Sequence, residues 1–307
     1  MEQIKTPIVL LIFNRPQYTE KVLAKIKKVR PQKLYVVADG ARNDGEWEKC
    51  NAARKIIENI DWECEVYKNY ADTNMGLEDR VSSGISWVFE HEERAIILED
   101  DCLPDLTFFE FAEEMLQRYN DDDRIMMVSG SNPVDTYTIK DSYVFSRYFS
   151  IWGWATWKRA WGKYDPLMKE WPTLKTEQQL ESFYTHKEFL YYINSLFDDV
   201  YSGKTKSWAT RWFYSCLINN GLTIVPKSNL VSNIGTEGTN TSGKNNNVPI
   251  QPINMTDIKK PHLVFPDHNY ENAFFDRSFP PPPKATVKSI VIKKLVKIKQ
   301  FLKKLPI

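Results

Sequence analysis

No apolar run in the chain approaches the ~18 uninterrupted residues that a membrane-spanning helix needs. The four cysteines, Cys50, Cys64, Cys102 and Cys216, form no Cys-x-x-Cys pair, so thiolate metal and dithiol redox motifs are set aside and reduced thiols are the simplest state. The four histidines, His91, His186, His262 and His268, show no pair at helical ligand spacing, and a zinc centre is not expected. No Gly-x-Gly-x-x-Gly follows the first strand-like run, which argues against a Rossmann-type cofactor enzyme. Internal repeats are absent too. Met1–Pro7 runs straight into "IVLLIF" without a signal pattern, so a cytosolic setting is expected and the Asn-x-Ser/Thr matches at Asn240 and Asn254 read as chance.

What is present is a folding core. Of 307 residues, 42% are hydrophobic and 13% aromatic, which places the chain among globular and not disordered proteins. The net charge of +1 hides an asymmetry. Lys284–Ile307 carries eight lysines and no acid, leaving 33 basic side chains against all 40 acids in residues 1–283, a balance near −7. An acidic body argues against nucleic acid as partner, which asks for a basic face. A basic tail on such a body points to an anionic membrane surface.

Strand-like and helical patterns alternate through the first 130 residues. "IVLLIF" (8–13), "KLYVVAD" (33–39), "CEVYKN" (64–69), "RAIILED" (94–100) and "RIMMVSG" (124–130) read as strands. Helices are predicted at about 18–28, 46–57, from Gly76 onward with Leu77, Val81, Ile85 and Val88 in phase, and 106–119. This is the pattern of an α/β fold with a mostly parallel central sheet flanked by helices. The second half is Trp-dense at 149–164, mostly helical over 176–220 and strand-like at "LTIVP" (222–226). A Gly/Asn/Ser/Thr stretch at 233–247 reads as a loop, and Pro280–Pro283 as a stiff spacer.

In parallel α/β sheets ligands sit beyond the carboxyl ends of the strands. Four of those ends carry distinctive polar groups: Asn14 and Arg15, Asp39 and Gly40, Asn74 and Gly76, and the trio Glu99, Asp100 and Asp101. Three adjacent acids repel one another unless something positive lies among them. Oxygen ligands of this kind suit Mg²⁺ or Mn²⁺, which retain waters and share their shell with a substrate diphosphate. The bland alternative is a solvated loop whose acids favour helix N-termini.

Four segments, "IVLLIFNRP", "VVADG", "NMGLEDRVSSGI" and "IILEDDCLPDLTFFEF", resemble the nucleotide-sugar-dependent glycosyltransferases of the GT-A fold. The likeness is to bacterial sugar transferases related to the N-acetylglucosaminyltransferase I type, whose Asp-x-Asp variant is Glu-Asp-Asp. It extends from about residue 7 to 245. It implies that Asp101 ligates Mn²⁺ directly, while Asp100 and Glu99 contact the sugar–ribose part or orient the metal. It implies uridine contacts from Asn14 and Asp39 with Arg15 nearby. Arg80, one turn after Gly76, would meet phosphate or sugar oxygens, or else pair at the surface with Glu78 or Asp79.

On the acceptor side, "SIWGWATW" resembles the aromatic segment on which acceptor sugars pack, with Trp152 and Trp154 as candidates; Trp157 and Trp161, four apart, read as a helix's core stripe. An inverting transfer needs a carboxylate to take the acceptor proton. Relatives often have Trp-Asp where this chain has Trp208–Ala209, so the base is sought among Asp198, Asp199 and Glu237, with Asp199 and Glu237 preferred.

The resemblance therefore implies a domain over 1–279, its nucleotide-sugar half at 1–130 and its acceptor half at 131–279. From the residues themselves, 280–285 reads as a Pro-rich spacer and 286–307, with its apolar residues on one broad face and lysines around it, as a basic amphipathic helix for membrane association, the alternative being a helix that docks on protein. The implied function is metal-dependent transfer of a hexosyl or N-acetylhexosaminyl group from a UDP-sugar to a glycan or lipid-linked saccharide, in bacterial surface polysaccharide or lipopolysaccharide synthesis. The setting is cytoplasmic, peripheral on the inner face of the cell membrane. A degenerate relative that binds nucleotide-sugar or glycan without turnover is the alternative.

Overall fold

Along the first strand, alternate side chains serve opposite faces. Val9 and Leu11 join one buried cluster, and Ile8, Leu10 and Ile12 join the other. A strand buried on both sides needs helices on both sides, and it has them. The computed structural model describes residues 3–235 and 248–278.

In chain order the elements are β1 (Ile8–Ile12), α1 (Pro16–Val29), β2 (Lys33–Ala38), α2 (Trp47–Ile56), β3 (Glu65–Tyr70), α3 (Leu77–His91), β4 (Arg94–Glu99), β5 (Cys102–Pro104), α4 (Leu106–Arg118) and β6 (Ile125–Ser129). Then follow β7 (Tyr143–Ser146), β8 (Trp154–Trp157), α5 (Lys158–Trp161), α6 (Trp171–Thr176), α7 (Leu180–Phe183), α8 (Lys187–Tyr201), α9 (Trp208–Ile218), β9 (Leu222–Pro226), β10 (Val231–Asn233) and α10 (His268–Ser278).

Eight strands make one sheet in the order β3-β2-β1-β4-β8-β6-β9-β7. The result is a mixed α/β fold with a large central sheet between helical layers. Val22 and Ile26 of α1, Ala53 of α2 and Phe108 and Met115 of α4 cover one face. Val81, Ile85 and Val88 of α3, Phe197 of α8, Trp212 of α9 and Phe274 of α10 cover the other.

The sequence predicts a mostly parallel sheet, and four of its seven strand pairings are parallel, β6 with β9 among them. β3, β2, β1 and β4 are mutually parallel. Beyond them β8 runs antiparallel to both β4 and β6, and β7 runs antiparallel to β9. The inserted β8, "WATW", is buried at all four positions and so short that no alternation marks it as a strand.

All four cysteines are free thiols. Among the described residues no helix is long and apolar enough to cross a membrane. The spacer at 280–285, the tail helix at 286–307 and Glu237 lie outside the described residues.

Candidate functional site

β1 is paired in parallel with β2 on one side and β4 on the other, so their carboxyl ends share one edge. Leu11 lies opposite Glu99, and Ile12 opposite Ala38. The residues that follow, Phe13–Arg15, Asp39–Gly40 and Asp100–Asp101, therefore converge on one crevice. A two-stranded ribbon closes it: β10 pairs antiparallel with β5, Asn233 opposite Cys102, and the Ile234 amide donates to the Asp101 carbonyl at 2.8 Å.

The positive group among the acids is Arg15. Pro16 at the first helical position starts α1, and the Arg15 carbonyl accepts from the amides of Tyr18 and Thr19. That places the Arg15 side chain over the end of β4. One guanidinium nitrogen donates to Asp101 Oδ2 at 2.7 Å and the other to Asp100 Oδ1. Burial pulls the Arg15 pKa down, but the two carboxylates outweigh it and the balance is upward. Resemblance puts Arg15 beside a uridine; here it binds the acid pair.

One cation does not neutralise three acids. Asp100, buried, is pushed up to about 6, chiefly by desolvation and against the pull of Arg15. Glu99, half-buried at the last position of β4, makes no hydrogen bond through its side chain among the described residues. Desolvation, with Asp101 and Asp100 adding to it, raises Glu99 to about 8. With Glu99 largely protonated at neutral pH, Asp100 and Asp101 still face the single charge of Arg15. The next acid, Asp105, serves the backbone instead, accepting from the Thr107 amide at 2.9 Å and capping α4.

Both carboxylate oxygens of Asp39 are engaged by the protein itself. Oδ1 accepts from the amides of Gly40 and Met75, and Oδ2 from the Gly76 amide and Asn74 Nδ2, all at 2.8–3.0 Å. Three of these four contacts pin the loop that starts α3, where Gly76 takes φ 83°, a conformation L side chains rarely adopt. Asn14 Nδ2 donates to Glu46 Oε1 at 2.6 Å. Glu46 is in turn held by Arg42, which with a backbone amide and Asn14 lowers it to about 2.

Arg80 departs from both readings made for it. It is buried, donates from Nε to the Ala38 carbonyl at 3.1 Å, and grips Asn69 through Nη2. It ties the ends of β2 and β3 together and reaches neither ligand space nor Glu78; the latter pairs with Arg211.

Trp154 is likewise a correction. Only 1% exposed, it packs among Trp161, Trp208 and Trp212 at 5.9–6.3 Å between ring centres, so no sugar can stack on it. Trp152 is half-buried, and its neighbour Gly153 lies against Leu98 and Val231, near the end of β4. Trp157 and Trp161 are both buried, but on opposite faces of the sheet, one ending β8 and the other ending α5. Asp199 on α8 pairs with Lys204 at 2.8 Å, Asp198 with Lys175 at 2.7 Å, and neither contacts the acid cluster.

Sequence reading misses Gly235. A Cβ there would lie 2.6 Å from Asp101 Oδ2 and 3.2 Å from an Arg15 nitrogen. Only a bare backbone can pass this close, and the one available signal is a glycine two residues after a strand-ending Asn233, whose Oδ1 accepts the Gly235 amide.

No family model and no curated protein matches the chain. Solved structures similar in outline include the following two. One is 4-diphosphocytidyl-2C-methyl-D-erythritol synthase from Anaerococcus prevotii, 11% identical, with 72% of this chain and 86% of that one covered and a TM-score of 0.38. The other is mouse xyloside xylosyltransferase 1 without ligand, 12% identical, with 69% and 81% covered and a TM-score of 0.35. Likenesses of this size carry no functional argument, and the residues must supply it.

Do those residues suit a divalent cation? Asp100 and Asp101 are hard oxygen donors at a strand end, and the Gly235 backbone passes close beside Asp101 Oδ2. Among the described residues no third Asp, Glu, His or Cys completes a protein shell. The set fits a cation that takes one or two carboxylates and draws its remaining oxygens from substrate phosphate and water.

Proposed function

We propose that the chain is a nucleotide-sugar-dependent glycosyltransferase whose donor diphosphate binds at the crevice beyond β1 and β4. The observation that carries this is the Arg15 guanidinium held between Asp100 and Asp101, with the Gly235 backbone against them. A guanidinium is a planar fork that fits phosphate as well as carboxylate, so Arg15 can turn from the acids to the diphosphate without losing its bonds. As it leaves, Asp101 becomes free to ligate Mn²⁺ or Mg²⁺, with Asp100 and Glu99 orienting the site. Bound there, the cation would stabilise the charge that grows on the departing phosphate.

Asp39, Asn14 and Arg80 support this by shaping the loops. Asp39 and Arg80 hold the ends of β2 and β3, and Asn14 with Glu46 fixes the approach to Arg15. For the acceptor, Trp152 remains the aromatic candidate. Glu237, two residues past Gly235 in sequence, is the preferred base over Asp199, which is engaged by Lys204. A UDP-hexose or UDP-N-acetylhexosamine donor and a glycan or lipid-linked acceptor of a bacterial surface polysaccharide are the substrates proposed. The site of action is the cytoplasmic face of the membrane.

The experiment is a panel of UDP-sugars assayed for UDP release with and without Mn²⁺. The wild type should release UDP from one or a few sugars only with the metal, and Asp101→Ala should lose about a hundred-fold or more. The engaged Asp199 and the alanine at position 209, packed against the core in α9, favour a second reading: a relative that binds without turnover. Tight, metal-dependent UDP binding with no release on any sugar and acceptor would select it.

A further inference from the structure

Far along the sheet from the crevice, the edge strand β7 is flanked by the segment 259–267. Ser142 and Lys259 exchange hydrogen bonds at 2.9 and 3.0 Å, and Pro266 and Asp267 bridge to Phe145. Tied at both ends and stiffened by Pro261 and Pro266, the residues between have little freedom to fold their side chains away. They nonetheless present Leu263 at 67% and Phe265 at 72% exposure.

The surroundings are basic. Lys259 and Lys260 lead into the segment, the Lys227 amide donates to the Ser142 carbonyl, and Lys140 lies two residues before Ser142; all four are exposed. They outnumber Asp141 and Asp257, the latter 3.8 Å from Lys259. Asp267 is turned inward to Tyr137 and the Tyr270 amide.

We propose that the 259–265 loop docks on an anionic bilayer, with Leu263 and Phe265 entering the headgroup–acyl boundary and the lysines around Ser142 facing lipid phosphates. Size favours lipid over protein. A specific protein interface buries on the order of 1,000 Å² or more, which two side chains do not provide. Interfacial insertion needs only a few apolar groups assisted by basic charge.

The chain's path agrees. α10 begins at His268, is clamped to β7 by Arg147 and the fully buried Glu271, and the described chain stops at Ser278. The sequence beyond it carries eight lysines and no acid over 284–307. Stable membrane attachment commonly takes two weak signals, and loop plus tail would be two. This inference does not rest on the glycosyltransferase reading.

The test is sedimentation of the full chain with vesicles of phosphatidylcholine, with and without phosphatidylglycerol, together with hydrogen exchange on the wild type. The chain should bind the anionic vesicles, and amides of 262–265 should exchange more slowly when bound. A Leu263→Ser/Phe265→Ser variant should bind at least about ten-fold more weakly with an unchanged melting temperature. Lys259→Gln/Lys260→Gln should narrow the preference for anionic over neutral vesicles. Undiminished binding by the serine variant, no slowing at 262–265, or no vesicle binding at all would overturn the proposal. So would a wild-type dimer that the serine variant dissociates, because that would make the loop a protein contact.

Discussion

At the scale of single residues, the site turns on which charge answers which. Arg15 contributes one positive charge to Asp100 and Asp101, with Glu99 largely protonated beside them, and the remainder is what a cation or an arriving diphosphate–metal pair would balance. Next to it, Glu46 shows how the surroundings hold a loop in place. Its ordinary value is 4.5 and its folded one about 2, mainly because Arg42 binds the charged form. A carboxylate lowered on folding stabilises the protein above its unfolded value and loses that contribution as the pH falls toward the folded one. The difference in melting temperature between wild type and Glu46→Gln should therefore be constant above about pH 5 and close as the pH approaches 2. Thermal denaturation across that range checks it. The residue types at the crevice were legible in the sequence, but their duties were not. A carboxylate at a strand end is as good an acceptor for its own loop as for a ligand, and only the positions of the Met75 and Gly76 amides show that Asp39 does the former. The same holds for Arg80, because nothing in its sequence neighbourhood shows that carbonyls and not Glu78 or Asp79 receive it.

At the scale of elements, the lip formed by β5 and β10 matters most. It brings Gly235 onto Asp101 from more than a hundred residues away. Gly235→Ala would force its Cβ into Asp101 Oδ2, so UDP affinity should fall about ten-fold, the worth of one charged hydrogen bond, while the melting temperature barely moves. Calorimetry and thermal denaturation on the same variant distinguish that outcome from general unfolding. On the opposite edge, Glu271→Ala would leave Arg147 without its carboxylate and loosen α10; denaturant unfolding should show a loss of about 3 kcal/mol. Periodicity located β1 to β4, β6, β9 and the helices between them, since long buried runs and 3.6-residue patterns are strong signals. It passed over β5, β7, β8 and β10, each of three or four residues. Such strands owe their existence to partners distant in sequence, and local pattern does not contain them.

At the scale of the whole molecule, a parallel half places strand ends and loops at the acid-bearing crevice, while a mixed half adds β8 and the aromatic layer behind it. That α/β layering was visible from the order of strand-like and helical runs. The antiparallel insertion was not, because strand order is a tertiary property. The central claim is that Asp101, released by Arg15, holds a divalent cation for a nucleoside diphosphate. Titration calorimetry of UDP into wild type and Asp101→Ala, each with and without Mn²⁺, tests this most directly. The account predicts UDP binding that Mn²⁺ strengthens about ten-fold or more in the wild type and leaves unchanged in the variant. Equal UDP binding by both proteins, indifferent to Mn²⁺, would contradict it.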